Sequence, residues 1–250
     1  MTPTYQPAPL RPADPWDGLL LVDKPSGPTS HDVVDAIRRQ FRIQKVGHGG
    51  TLDPMATGLL VILLGRGTKL SDLIMGSDKT YEGTMRLGIT TNTEDLDGEV
   101  LAEADPSAVS REQVEAEMRK RTGDLMQTPP MVSAIKKNGV PLYKLARKGE
   151  TVEREPRLIH VYEFTLAEFA MPLVRFRLRC TKGTYVRTLC ADIGRAVGCG
   201  ARLEALRRTQ SGALRVDDAL PVAEYLAMSF EQLIARVIPM TRVRSEAIHA

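Results

Sequence analysis

Residues 46–65 read Val46-Gly47-His48-Gly49-Gly50-Thr51-Leu52-Asp53-Pro54-Met55-Ala56-Thr57-Gly58-Leu59-Leu60-Val61-Ile62-Leu63-Leu64-Gly65. A polar, glycine-rich loop runs directly into an apolar stretch, Leu59 to Leu64, which glycines bound on both sides. A short apolar run punctuated in this way reads as a buried strand, here from Ala56 to Gly65. The loop before it presents one carboxylate, Asp53, from backbone that Gly47, Gly49, Gly50 and Gly58 free to turn sharply and to approach a ligand closely. Taken alone, an Asp-Pro turn suits a carboxylate that caps a neighbouring backbone group. A loop held by a rigid strand is equally where chemistry tends to sit.

Working outward, Gly18 to Val22 reads as another buried strand. Thr29-Ser30-His31-Asp32 has the form of a capping box, and Val33, Val34, Ile37 and Phe41 give the helix it opens an apolar stripe. Thr80 to Leu87 alternates, with Tyr81, Gly83, Met85 and Leu87 on one face. Ser110 and Gln113 cap a helix that runs to about Arg121 and stops at Gly123. Pro141 to Lys148 reads as a short helix closed by Gly149. Leu158–Phe169 and Leu173–Cys180 form two long strands. On the second, Val174, Phe176, Leu178 and Cys180 face one way and Arg175, Arg177 and Arg179 the other, as edge protection or as RNA contact. Tyr185 to Val197 is helical, and helices near 221–228 and 230–238 follow. Strands and helices mixed without strict βαβ alternation make the class α+β.

At 250 residues, 42% apolar and 26% charged, the chain suits one large soluble domain. No apolar run is long enough to span a bilayer. Five prolines among residues 3–15 read as a disordered tail over 1–17 rather than a targeting segment. Three cysteines without a CxxC pair and four scattered histidines disfavour a metal site and suggest reduced thiols in the cytoplasm. Net charge is only +3, yet basic residues crowd 136–157 and 175–208 while acidic ones crowd 92–117. A cationic face of that kind suits a phosphate backbone.

The loop resembles the signature of the TruB-type tRNA pseudouridine synthases, Gly-His-x-Gly-Thr-Leu-Asp-Pro-x-Ala-x-Gly. Further segments match in family order: Leu21 to Ser30, Lys79-Thr80-Tyr81-Glu82, Gly88 to Asp95, Thr128 to Lys136, Cys180 to Leu189 and Leu206-Arg207-Arg208-Thr209. The departures are small, with Gly49 where Thr is common and Asn92 where Asp is common. Family members usually continue into a C-terminal PUA domain; here the sequence stops at Ala250, near where that domain would begin, so the expectation is a tail at 241–250 without it. The resemblance implies a large mixed, mostly antiparallel sheet flanked by helices. It places the catalytic domain at 18–240, with 128–155 as a thumb-like RNA-binding insertion.

The resemblance also implies that the chain isomerises uridine 55, in the T-arm loop of tRNA, to pseudouridine without a cofactor. Asp53 would be the nucleophile, since an aspartate with an unperturbed pKa of about 3.9 is ionised at neutral pH. Arg187 would hold that carboxylate bidentately. Tyr81 would stack on the uracil and handle a proton. His48 would fill the space vacated by a flipped base, and Lys24 would support the loops. Tyr185 and Leu206 would line the pocket. Lys136, Lys144, Arg147, Lys182, Arg207 and Arg208 would contact the RNA, mostly through phosphates. The partner is then tRNA, bound by a cytoplasmic monomer with neither metal nor membrane. Two other readings remain at this point: an RNA-binding or tRNA-folding module without catalysis, and a glycosidase-like hydrolase that pairs Asp53 with a second acid such as Asp95.

Overall fold

The computed structural model describes residues 14–133, 136–137, 139–142, 145, 150 and 152–247. Eleven strands form one sheet: β1 Gly18–Lys24, β2 Val46–His48, β3 Thr57–Leu64, β4 Lys79–Leu87, β5 Gly123–Gln127, β6 Arg157–Ala170, β7 Leu173–Cys180, β8 Ala201–Ser211, β9 Leu214–Arg215, β10 Leu220–Pro221 and β11 Ile238–Pro239. The main order is β10-β1-β3-β8-β4-β7-β6-β5; β2 pairs with β3, β9 with β8 and β11 with β1. Only β1–β10 and β3–β8 are parallel. The described helices are α1 Ser30–Phe41, α2 Ser71–Gly76, α3 Arg111–Lys120, α4 Val186–Ala196, α5 Val222–Ala227, α6 Phe230–Arg236 and α7 Met240–Ala247. The mixed, mostly antiparallel α+β architecture expected above is the one present.

Leu59 to Leu64 is apolar at every position because β3 is covered on both faces. Leu60, Ile62 and Leu64 join the main core with α1, while Leu59, Val61 and Leu63 join a second core with Leu70, Ile74 and Val243. β1 divides in the same way, with Leu20 and Val22 on one side and Leu19 and Leu21 on the other. Each such side chain contributes on the order of 1.5–3 kcal/mol by leaving water. The half of the sheet around β7 is covered on one face only. Val174, Phe176, Leu178 and Cys180 are buried, and Arg175, Arg177 and Arg179 are exposed on the other face. β7 lies between β4 and β6, so edge protection is not the reason for these arginines. Arg175 pairs with Glu168, and the Arg179 guanidinium lies 4.4 Å from the centre of the Tyr162 ring.

The capping box of α1 forms as expected: the Asp32 N–H donates to Thr29 Oγ1 and the Thr29 N–H to Asp32 Oδ2. Ser110 and Gln113 make the same exchange at α3. Residues 240–247 form α7 rather than belonging wholly to a tail, and Trp16 and Asp17 pack onto the domain. The segment read as a 141–148 helix lies largely outside the described residues.

The two halves of the sheet meet where β3 runs beside β8, pairing Thr57 with Arg207 and Gly58 with Arg208. Gly58 has φ +97°, and a Cβ there would stand 2.3 Å from the Arg208 carbonyl oxygen. Only glycine satisfies both demands. Gly58→Ala is expected to destabilise the fold by at least about 1–3 kcal/mol, the cost of a strained backbone conformation. Thermal unfolding checks this; a midpoint within a degree of wild type would contradict it. The loop bearing Asp53 enters the sheet at this junction.

Candidate active site

Residues 49–56 carry Asp53, and their backbone is fastened from several sides. Lys24, fully buried, donates from Nζ to the carbonyls of Pro25, Pro54 and Ala56 at 2.8–3.0 Å. Arg208, also buried, donates to the carbonyls of Gly50 (3.1 Å), Thr51 (3.4 Å) and Leu59 (2.8 Å). The Leu52 N–H donates to Ser30 Oγ, which donates back to the Leu52 carbonyl. The Ala56 N–H satisfies the Asp53 carbonyl. The carbonyls of residues 50–54 are thus all engaged, and the Asp53 side chain is left to face outward.

Its carboxylate meets Arg187, the second residue of α4. Nη2 lies 3.5 Å from Oδ1 and 3.4 Å from Oδ2, so one nitrogen straddles both oxygens. The expected bidentate fork is absent: Nη1 is taken by Asp95 Oδ2 (3.3 Å) and the Thr93 carbonyl (3.4 Å), and Nε makes no bond to Asp53. Nη2 also donates to the Val132 carbonyl at 2.8 Å. Arg187 is almost wholly buried, and 37% of the Asp53 side chain remains exposed. Asp53 is therefore recessed yet open to a ligand. Surrounding protein pushes its carboxyl above the ordinary range; Arg187 opposes this, Asp95 and Asp97 add to it, and Lys24 opposes it. Asp95 is buried, and its carboxylate sits on the other terminal nitrogen of Arg187. Buried and engaged by Arg187, Asp95 has no open face toward a substrate bond, which speaks against it as the second acid of a hydrolase.

Tyr81 comes from β4, directly opposite Arg208 on β8 and Leu178 on β7. Burial pushes its hydroxyl up to about 12, against the pull of the nearby Arg208 guanidinium. The phenol is neutral across the working pH range. Tyr185 is half-buried just before α4, and the Gln127 side-chain amide grips its backbone N–H (2.8 Å) and carbonyl (3.1 Å). Leu206 is buried opposite Gly83. The ring of His48 accepts at Nδ1 from the Gly50 N–H (3.4 Å). Burial, then Arg208 and His31, lower its pKa, so the ring is neutral at pH 7.

The cations expected at the RNA divide into groups. Lys182 is exposed. Arg207 is half-buried and forks onto Asp23 at 3.0 and 2.7 Å. Arg208 is turned inward and cannot reach a phosphate; its place is under the loop that carries Asp53. Lys136 is placed by its backbone alone, in a two-strand hairpin with 140–141. Lys144 and Arg147 lie outside the described residues. Sequence reasoning gave no site role to Gln127, Ser30 or the Val132 carbonyl. It reached Asp95 only as a second acid, although the Gly88–Asp95 segment had been singled out.

Burial lowers the pKa of Lys24 to about 8, while Asp53 and Asp32 pull it back up. An unfolded lysine titrates near 10.4, so the unfolded chain holds more protons between those values. The stability of the wild type relative to Lys24→Met should therefore rise from pH 8 to pH 10. Denaturant unfolding at the two values checks this, and a difference that stays constant or falls would contradict it.

Two family models account for most of the chain. One, described as TruB family pseudouridylate synthase (N terminal domain), matches residues 38–186; the other, tRNA pseudouridylate synthase B C-terminal domain, matches 187–243. The chain belongs to the TruB family. The tRNA pseudouridine synthase B of Opitutus terrae is 50% identical over 92% of this chain and 96% of its own length. That of Francisella philomiragia is 45% identical over 91% of this chain and 76% of its own. Among solved structures, a Cbf5-Nop10-Gar1 complex matches with TM-score 0.70 and 29% identity, covering 94% of this chain but only 62% of that one. An H/ACA RNP bound to a substrate RNA containing 2'-deoxyuridine matches with TM-score 0.67 and 25% identity, covering 93% and 61%. The boundary between the two TruB models falls between Val186 and Arg187, yet α4 crosses it unbroken.

Proposed function

We propose that this TruB-family pseudouridine synthase acts on tRNA, converting uridine 55 of the T-arm loop to pseudouridine with Asp53 as nucleophile. The observation that carries the reading is the Asp53 carboxylate. It is the exposed end of a loop whose carbonyls from Gly50 to Pro54 are all occupied, and it is paired with a buried guanidinium. The reaction breaks the N1–C1′ bond, turns the uracil, joins C1′ to C5 and releases the C5 hydrogen. It changes no oxidation state, so side chains suffice. Asp53 adds to uracil C6 or to ribose C1′, and Arg187 keeps it ionised and aimed. Neutral Tyr81 gives the base a face to stack on and a hydroxyl able to relay a proton. Extruding the uridine costs a few kcal/mol, offset by that stacking, while His48, neutral and flat, fills the gap left in the RNA. Lys182 and the basic 128–155 insertion contact phosphates, which position the RNA without reading its sequence. The working form is a cytoplasmic monomer.

The test is incubation with unmodified tRNA transcript and nucleotide-by-nucleotide mapping of pseudouridine. Conversion at the T-loop uridine is expected. Intact uridine there after stoichiometric exposure would refute the reading. Tight binding without conversion would favour the module that binds and folds tRNA without catalysis.

A further inference from the structure

We propose that Glu94 is a positioning residue for the Arg187 guanidinium, acting through Thr188; this rests on the function proposed above. Two adjacent residues of one loop grip two adjacent residues of one helix. Asp95 accepts from Arg187, and Glu94 Oε2 accepts from Thr188 Oγ1 at 2.6 Å. The loop is itself anchored. The Leu203 N–H of β8 donates to the Glu94 carbonyl (2.9 Å), and Thr91 Oγ1 donates to the Asp95 carbonyl (2.7 Å).

Two further features single out the Glu94 contact. The Glu94 backbone is left-handed at φ 65°, a conformation that Gly or Asn adopts more readily, so the turn alone does not call for a glutamate. In addition, α4 begins without a side-chain cap and with no acidic residue in its first turn. Glu94 brings a carboxylate to that end from outside the helix, where the helix dipole favours negative charge. Arg187 depends on this support because its Nε is buried without a partner. The guanidinium is held by its two terminal nitrogens alone, so a small slip of the first turn of α4 would carry Nη2 away from Asp53. Misplacement on the scale of 1 Å can cost about 100-fold in rate.

The charged groups facing Glu94 are Arg187, Asp192 and Arg195 of α4, together with its neighbour Asp95. Burial raises the Glu94 carboxyl, the Thr188 hydroxyl and Arg187 lower it, Asp192 raises it and Arg195 lowers it. Glu94 also borders a cleft of about 360 Å³ shared with Thr90, Asn92 and Arg195. Shortening its side chain therefore leaves an open cleft rather than a sealed void, and the fold should survive.

The experiment compares Glu94→Ala, Thr188→Val, the double variant and Glu94→Gln by single-turnover pseudouridine formation, tRNA affinity and thermal midpoint. Glu94→Ala and Thr188→Val are each expected to slow the chemical step about tenfold, with affinity unchanged within twofold. The double variant should be no slower than the worse single, because one interaction is being removed. Glu94→Gln, which keeps an acceptor oxygen, should recover most of the rate. Wild-type rates in Glu94→Ala, additive losses in the double variant, or no rescue by Glu94→Gln would overturn the proposal. So would rate losses matched by a fall in folded fraction. Failure of the wild type itself to make pseudouridine would instead refute the function proposed above.

Discussion

Asp53→Asn should abolish turnover, lowering the single-turnover rate on the order of 10⁴-fold or more, the scale at which loss of a nucleophile acts. tRNA affinity should stay within a few-fold, because phosphate contacts supply most of the binding and lie elsewhere. Stability gives an independent check. The Asp53 carboxyl is raised above its unfolded value, so at neutral pH its charge works against the fold. The amide is nearly isosteric and uncharged, and the variant should melt no lower than wild type. An inactive protein that is also less stable and binds RNA poorly would make Asp53 a structural residue.

Arg187→Lys carries the second large effect. The guanidinium spans Asp53 on one side and Asp95 and the Thr93 carbonyl on the other, with Val132 on a fourth bond. An ammonium is a point charge and cannot bridge those positions. Either Asp53 or Asp95 is left unpaired, and removing one member of a buried charge pair costs about 3–5 kcal/mol. We expect a lower thermal midpoint and a rate loss of about 10³-fold, the upper scale for losing one preorganised charge at a reacting centre. Activity within tenfold of wild type would mean that the guanidinium is dispensable. Unlike Asp53→Asn, this variant should lose rate and stability together, and that contrast separates the two roles.

How far the sequence revealed this arrangement depends on the kind of signal. α1 and α3 could be read because a capping box and an apolar stripe are local, and β7 because it alternates cleanly on a one-sided part of the sheet. The central strand β8 was missed. Its buried positions are Ala201, Leu203, Leu206, Arg208 and Ser211, spaced two, three, two and three apart. Bulges between Leu203 and Ala205 and between Arg208 and Gln210 break the period that marks a strand. Its inward arginine hides it further, because a buried Arg208 is paired only with backbone carbonyls that no sequence pattern discloses. Asp53 stood out because glycines and a proline surround it. Asp95 did not, since its significance comes from α4, which returns 92 residues later to bring Arg187 beside it.

Release of tritium from tRNA labelled at C5 of uridine tests the central claim most directly, because joining C1′ to C5 expels that hydrogen. With stoichiometric enzyme, wild type should release one equivalent per tRNA and Asp53→Asn none over the same time. No release by the wild type, or equal release by the two proteins, would contradict a reaction at Asp53.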